Sequence, residues 1–219
     1  MLTGSSPDML YDQTLAPLIP RTFLAFDRRR GLVYVSSKEG RDVDWERKSI
    51  LYDKNQIDQR VKELANTISR DYEGRDLVLV GILKGAFIFL ADLSRSLSIP
   101  HSLDFARLAS YGSQAKSSGI IEIRKDIEMP VKEKDVILVE DIIDTGTTLA
   151  FFTEKIMQRN PRSVKICTLI DKKERREVEC NAHYVGFSVE RGFIVGYGLD
   201  FNEKYRYLPD IYTIDESTR

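Results

Sequence analysis

Apolar residues along this chain recur with two different rhythms. Ile57, Val61, Leu64, Ile68 and Tyr72 return every three or four positions, which predicts a helix with one buried face. Asp53, with Gln56 three residues on, supplies a capping-box start, and Gly74 supplies a stop. Leu77–Leu83 (LVLVGIL) then runs apolar without a break, as a strand buried on both faces does. Ala86–Leu97 turns helical again. Further strands are expected at Leu103–Leu108, Ile120–Arg124, Val136–Glu140, Val164–Asp171, His183–Val189 and Phe193–Leu199. Ser110–Gly119 (SYGSQAKSSG) has the composition of a long mobile loop. Leu149, Phe152 and Ile156 mark one more helix, which stops at Asn160-Pro161. Strands alternating with helices define an α/β protein with a mostly parallel, doubly wound sheet, whose ligands belong at the carboxyl ends of the strands.

Length and composition narrow the picture. A chain of 219 residues is enough for one generous α/β domain, or one domain with an appendage. With 33 Lys and Arg against 34 Asp and Glu, no global charge draws it to nucleic acid or to a membrane surface. Cys167 and Cys180 lack metal-ligand spacing and read as reduced structural thiols. No apolar run approaches the roughly 18 residues of a membrane span. The N-terminus has no basic segment followed by an apolar one, so a cytoplasmic location is expected.

Residues 1–47 differ in character from the rest of the chain. They carry Pro7, Pro17 and Pro20 and the run Arg28-Arg29-Arg30, without a sustained helical period. Phe23–Phe26 and Leu32–Val35 suit a short hairpin around the arginines, which read as a solvated turn. The expectation is a loosely packed extension, residues 1–47, ahead of a domain over residues 48–219. Translation starting inside the extension, for example at Val43, is a further expectation.

Chemistry concentrates in Val136–Ala150 (VILVEDIIDTGTTLA). An apolar strand ends in two adjacent carboxylates, Glu140 and Asp141, and is followed by Asp144-Thr145-Gly146-Thr147-Thr148 and a helix. A small, hydroxyl-rich turn at a helix N-terminus offers backbone N–H groups and a partial positive charge, which is a phosphate cradle. The carboxylate pair suits sugar hydroxyls or a metal ion. Lys84 sits directly after the buried strand, where packing does not explain a lysine, and Gly85 lets the backbone approach a bulky anion.

The run EDIIDTGTT resembles the phosphoribosyl-pyrophosphate motif of the purine phosphoribosyltransferases, in the wording of their hypoxanthine-guanine branch. The likeness spans Lys48 to Thr213 with five motifs in order, and implies the type I phosphoribosyltransferase fold with a small hood formed by the terminal segments. Its implications for individual residues are specific. Glu140 and Asp141 take the ribose hydroxyls and their Mg2+, Thr145, Gly146, Thr147 and Thr148 wrap the 5′-phosphate, and Asp144 is the general acid/base at N7 of the purine. A carboxylate at Asp144 would repel phosphate, which independently favours giving it to the base. Leu83-Lys84-Gly85 is the pyrophosphate loop, often with a cis peptide before the lysine, and Arg206 reaches the same pyrophosphate. Ser110 and Tyr111 open the catalytic lid. Lys172 donates to the 6-oxo group of the purine, Phe193 stacks on the ring, the backbone of Ile194 reads its edge, and Asp200 holds magnesium. Lys173, Arg175 and Arg176 read as solvated surface.

The activity so implied is magnesium-dependent transfer of phosphoribose from phosphoribosyl pyrophosphate to hypoxanthine or guanine, by a homodimer or homotetramer. Two alternatives stay open: a non-catalytic phosphoribosyl-pyrophosphate sensor on the same fold, and an enzyme preferring xanthine.

Overall fold

The computed structural model describes residues 23–27, 32–36, 48–113 and 116–214, with side chains for 48–109 and 121–214. The chain divides into two units, Met1–Val43 and Asp44–Arg219. In the first, strands β1 (Phe23–Asp27) and β2 (Leu32–Ser36) pair antiparallel, with Phe23 opposite Ser36 and Asp27 opposite Leu32. That is the hairpin expected from the sequence.

The second unit runs β3 (Lys48–Tyr52), α1 (Lys54–Asp71), β4 (Leu77–Leu83), α2 (Phe87–Ser96), β5 (Ser102–Ser113) and β6 (Lys116–Lys125). It continues with β7 (Asp135–Ile143), α3 (Thr147–Met157), β8 (Ser163–Lys172), β9 (Tyr184–Val189), β10 (Phe193–Val195) and β11 (Ile211–Ile214). Six strands form the main sheet in the order β6-β5-β4-β7-β8-β9. All neighbours are parallel except β5 and β6. Because β5 lies on one side of β4 and β7 on the other, the winding reverses between β4 and β7, which is where ligands of such sheets bind.

Alternation along the strands buries the sheet on both sides. Leu77, Leu79, Ile137 and Val139 face Ile57, Val61, Leu64 and Ile68 of α1 and Phe89 and Leu93 of α2. Val78, Val80, Val136 and Leu138 face Leu149, Phe152 and Ile156 of α3. The hood is a second sheet, β10-β11-β3, in which the start of the unit pairs with its end: Tyr212 lies opposite Ile50 and Ile194 opposite Thr213.

Two local expectations are corrected. Ser110–Ser113 and 116–119, read as parts of a loop, instead belong to extended strands, with Ser110 opposite Ile121, Tyr111 opposite Ile120 and Gly112 opposite Ser117. Small polar residues disfavour strand only weakly, and a cross-strand partner overrides them. Phe193–Leu199, read as one strand, keeps strand geometry only to Val195. Gly196 and Gly198 both take φ near +102°, with Tyr197 at +50° between them, so the chain folds back and Gly196 bridges Leu199.

Phe152 is wholly buried between α3 and the sheet, in the helix that follows the Gly146 turn. Phe152→Ala should lower unfolding free energy by about 3–5 kcal/mol, measured as a reduced urea midpoint at unchanged m-value.

Candidate functional site

The N-termini of the three helices in this unit differ. Helix α1 carries the capping box expected for it: Asp53 Oδ1 accepts from the N–H groups of Asn55 and Gln56 at 2.8 and 2.9 Å, and Gln56 Oε1 accepts from Asp53 N at 2.9 Å. Helices α2 and α3 follow β4 and β7 and have no side-chain cap, their N-cap residues being Ala86 and Gly146. Uncapped first-turn N–H groups are donors for an anion. Gly146 takes φ +83°, and a Cβ there would lie 2.9 Å from Cys180 Cβ and 3.1 Å from Val178 O, so the turn is pressed against the segment after β8.

That segment holds the turn in place. Glu177 N and Val178 N both donate to Thr145 O, at 3.0 and 3.3 Å. The guanidinium of Arg176 donates to the carbonyls of Ile143, Asp144, Lys172 and Cys180 at 2.6–3.3 Å and pairs with Asp171 at 2.5 Å. Its side chain is only 18% exposed, so Arg176 is a structural clamp rather than solvated surface. Arg175 is exposed as expected, yet its Nη1 lies 3.3 Å from Asp144 Oδ2. The other oxygen, Asp144 Oδ1, is buried without a partner, and so is Thr147 Oγ1 in the same turn. Thr145 Oγ1 accepts from Thr147 N at 3.4 Å. Buried polar atoms are ordinarily paired, so two orphans in one uncapped turn make it a candidate ligand position.

A second group gathers around Gly85. The Leu83–Lys84 peptide is cis, as the resemblance implies. A Cβ on Gly85 would stand 1.8 Å from Asp141 Oδ2, and one on Gly198 would stand 2.2 Å from Gly85 O. The loop after β4, the end of β7 and the turn after β10 therefore meet at two glycines. Asp141 is 8% exposed. Burial, and then the neighbouring Asp141 charge, push the Glu140 carboxyl well above its ordinary range, and burial also pushes Asp141 up. Arg206 opposes the shift of Asp141. Its guanidinium pairs with Asp200 Oδ1 at 2.7 Å and donates to Gly198 O at 2.7 Å, while Nε is buried without a partner. Lys84 Nζ lies 2.6 Å from Glu203 Oε2.

A third group lies at the end of β8 and the start of β10. Lys172, the last residue of β8, is buried, whereas Lys173 is exposed, which resolves which lysine points inward. Glu174 lies 3.2 Å from Lys172 Nζ and accepts from Gly192 N at 3.4 Å, tying the lysine to the residue before Phe193. Phe193 meets Phe201 edge to face at 5.4 Å, and Ile194 is buried. Thr148 opens α3 beside Thr147. Backbone pairing places Ser110 and Tyr111 in β5, and their side chains lie outside the described residues.

Glu140, Asp141 and Asp200 are hard oxygen donors of the kind magnesium takes, usually as one or two carboxylates plus substrate oxygens, and burial penalises the charge of Glu140 and Asp141. Among the described residues, however, no three acidic side chains gather into a metal-sized cluster, and both oxygens of Asp200 are engaged, by Arg206 and by Glu203 N. Sequence reasoning missed Glu174, Arg176 and Glu203, and their charges carried no periodic signal that would have singled them out.

The family described as phosphoribosyl transferase domain matches residues 48–202. A hypoxanthine-guanine phosphoribosyltransferase of Aquifex aeolicus is 43% identical over 177 residues, covering 80% of this chain and 99% of the relative. A hypoxanthine phosphoribosyltransferase of Escherichia coli K12 is 43% identical over 164 residues, covering 74% and 92%. The crystal structure of a hypoxanthine phosphoribosyltransferase from Staphylococcus aureus superimposes with a TM-score of 0.74 at 40% identity, covering 80% of this chain and 92% of that one.

Replacing Arg176 by lysine keeps the charge but cannot span its five acceptors. Arg176→Lys should lose about 1–3 kcal/mol of stability. A thermal melt should show the drop, together with a smaller stabilisation by added phosphate than the parent shows.

Proposed function

We propose that this chain, which belongs to the phosphoribosyl transferase domain family, transfers the 5-phosphoribosyl group of phosphoribosyl pyrophosphate to hypoxanthine or guanine in purine salvage, releasing pyrophosphate. The observation that carries this reading is the uncapped turn at Gly146, with Asp144 Oδ1 and Thr147 Oγ1 both buried and unpaired in it. One is an acceptor suited to a protonated base nitrogen and the other a donor suited to phosphate. Relatives named for this activity at 43% identity support the same substrates.

In the assigned roles, Thr145, Gly146, Thr147 and Thr148 receive the 5′-phosphate, and Glu140 and Asp141 accept from the ribose hydroxyls. Lys84, the Gly85 backbone and Arg206 bind the pyrophosphate. Phe193 stacks on the purine, the backbone of Ile194 reads its edge, and Lys172 donates to its 6-oxo group. Adenine would present a donor to that donor and leave both unpaired, which rejects it strongly. Magnesium, held through Glu140, Asp141 and Asp200, would offset charge on the leaving group. A purine nitrogen attacks C1 of the ribose as the bond to pyrophosphate breaks, and Asp144 manages the proton at N7. The protein's main contribution is to hold two substrates in line and exclude water, with the β5–β6 strands that carry Ser110 and Tyr111 as the lid.

The catalytic domain is assigned to residues 48–219 and residues 1–47 to an extension. No helix among the described residues is long and apolar enough to cross a membrane, and a cytoplasmic location is proposed. Assembly as a homodimer or homotetramer is proposed as well; the exposed Phe87 and Leu103 offer apolar surface for it.

With phosphoribosyl pyrophosphate and magnesium present, a spectrophotometric assay should register turnover of hypoxanthine or guanine and none of adenine. Binding of phosphoribosyl pyrophosphate without turnover of any purine would make the chain a sensor instead. Asp144→Asn should bind both substrates and turn over about 10²–10⁴-fold more slowly, a loss confined to kcat.

A further inference from the structure

The two cations assigned to the pyrophosphate share one carboxylate, and it belongs to a residue without a role so far. Glu203 Oε2 lies 2.6 Å from Lys84 Nζ and 3.7 Å from Arg206 Nη2. The loop that presents it is held in an unusual shape. Asn202, Glu203 and Tyr205 all take positive φ, at 49°, 64° and 76°, although none is glycine. Non-glycine residues seldom adopt that conformation, and three within four positions persist only where the surroundings hold them. Here the fastening is visible: Asp200 Oδ2 accepts from Glu203 N at 2.8 Å, Phe201 and Lys204 exchange backbone hydrogen bonds at 3.0–3.1 Å, and Asp200 Oδ1 pairs with Arg206. The turn thus carries the carboxylate of Glu203 back over the two cations.

An anionic phosphate oxygen needs the same donors. Lys84 can give three hydrogen bonds and Arg206 five; Glu203 takes one of Lys84's at 2.6 Å and stands within ion-pair distance of Arg206 at 3.7 Å. Pyrophosphate must therefore displace the carboxylate or sit beside it against like charge. Glu203 is 64% exposed at its side chain, so it can swing into water once displaced.

We propose that Glu203 is an affinity-setting residue of the pyrophosphate arm, competing with phosphate oxygens for Lys84 and Arg206 and so weakening retention of the leaving group. The inference rests on the assignment of Lys84 and Arg206 to pyrophosphate. Its consequence is kinetic: departure of pyrophosphate is assisted by a carboxylate that moves in behind it, and product inhibition is held down. Glutamine at this position keeps the shape and a hydrogen-bond acceptor but gives up the charge.

The test is calorimetric titration of pyrophosphate, with magnesium present, into the full chain and into Glu203→Gln, Glu203→Ala and Lys84→Ala. Lys84→Ala should bind more weakly than the parent. Both Glu203 variants should bind about 2- to 5-fold more tightly, the range of an exposed ion pair. The gain should shrink as salt is raised towards 1 M, because the competing pair is solvent-exposed. Product inhibition by pyrophosphate should strengthen in parallel. If the parent binds and Lys84→Ala weakens binding, but both Glu203 variants match the parent or fall below it, the inference is overturned and the pyrophosphate assignment stands. If neither the parent nor any variant binds pyrophosphate, the assignment fails and the inference with it.

Discussion

The site depends on how closely three pieces of backbone approach one another at Gly85. The loop leaving β4 passes so near the end of β7 that any side chain at Gly85 would collide with Asp141, and Gly198 lies against Gly85 from the other side. Parallel strands set the frame for this. Neighbours in the order β4-β7 end at the same edge, so the loops that follow them compete for the same space. Removing two Cβ atoms lets those loops interlock, and the interlocking brings Lys84 and Arg206, proposed for the pyrophosphate, beside Asp141, proposed for the ribose. A larger residue at either glycine would separate the parts without altering any of their chemistry.

Arg176 supplies the second constraint. A turn built to leave its own donors free cannot stabilise itself with them, since each N–H offered to a phosphate is one that no cap satisfies. The carbonyl side of the turn carries the burden instead. Arg176 and the N–H groups of Glu177 and Val178 satisfy the carbonyls of Ile143, Asp144 and Thr145 from behind. The same guanidinium holds Lys172 O, so the lysine assigned to the purine and the turn assigned to the phosphate are fixed to one rigid group.

What the sequence made legible was local. The capping box at Asp53, the strand-turn-helix around Gly146 and the continuous strand Leu77–Leu83 each depend on neighbours in the chain, and each is observed. Arg176 was misread because a charge after a strand is most often solvated, and its acceptors lie up to 33 residues away. Glu203 was silent for the same reason, its partner Lys84 being 119 residues distant. The extended pairing of Ser110–Ser113 with the strand opposite is equally non-local: serine and glycine say loop, and only the opposite strand says otherwise. Misreadings cluster where tertiary partners decide the conformation, and the same places carry the site's supporting contacts.

The distribution of charge ties these points to function. Each cation assigned to a ligand or facing one has a carboxylate beside it: Lys84 with Glu203, Arg206 with Asp200, Lys172 with Glu174, and Arg175 against Asp144. In the proposed roles, phosphoribosyl pyrophosphate would not be met by bare positive charge. It would enter by exchanging partners, and each exchange would return part of the binding energy that an unpaired cation delivers. Weak uniform binding suits catalysis, because interactions equally strong for substrate and transition state deepen the ground state without lowering the barrier above it. The exception is the turn at Gly146, where Asp144 Oδ1 and Thr147 Oγ1 have no internal partner to give up. Interactions made there are added in full. In the proposed roles, that asymmetry favours the 5′-phosphate and the purine N7 over the pyrophosphate arm, where each cation already has a carboxylate partner.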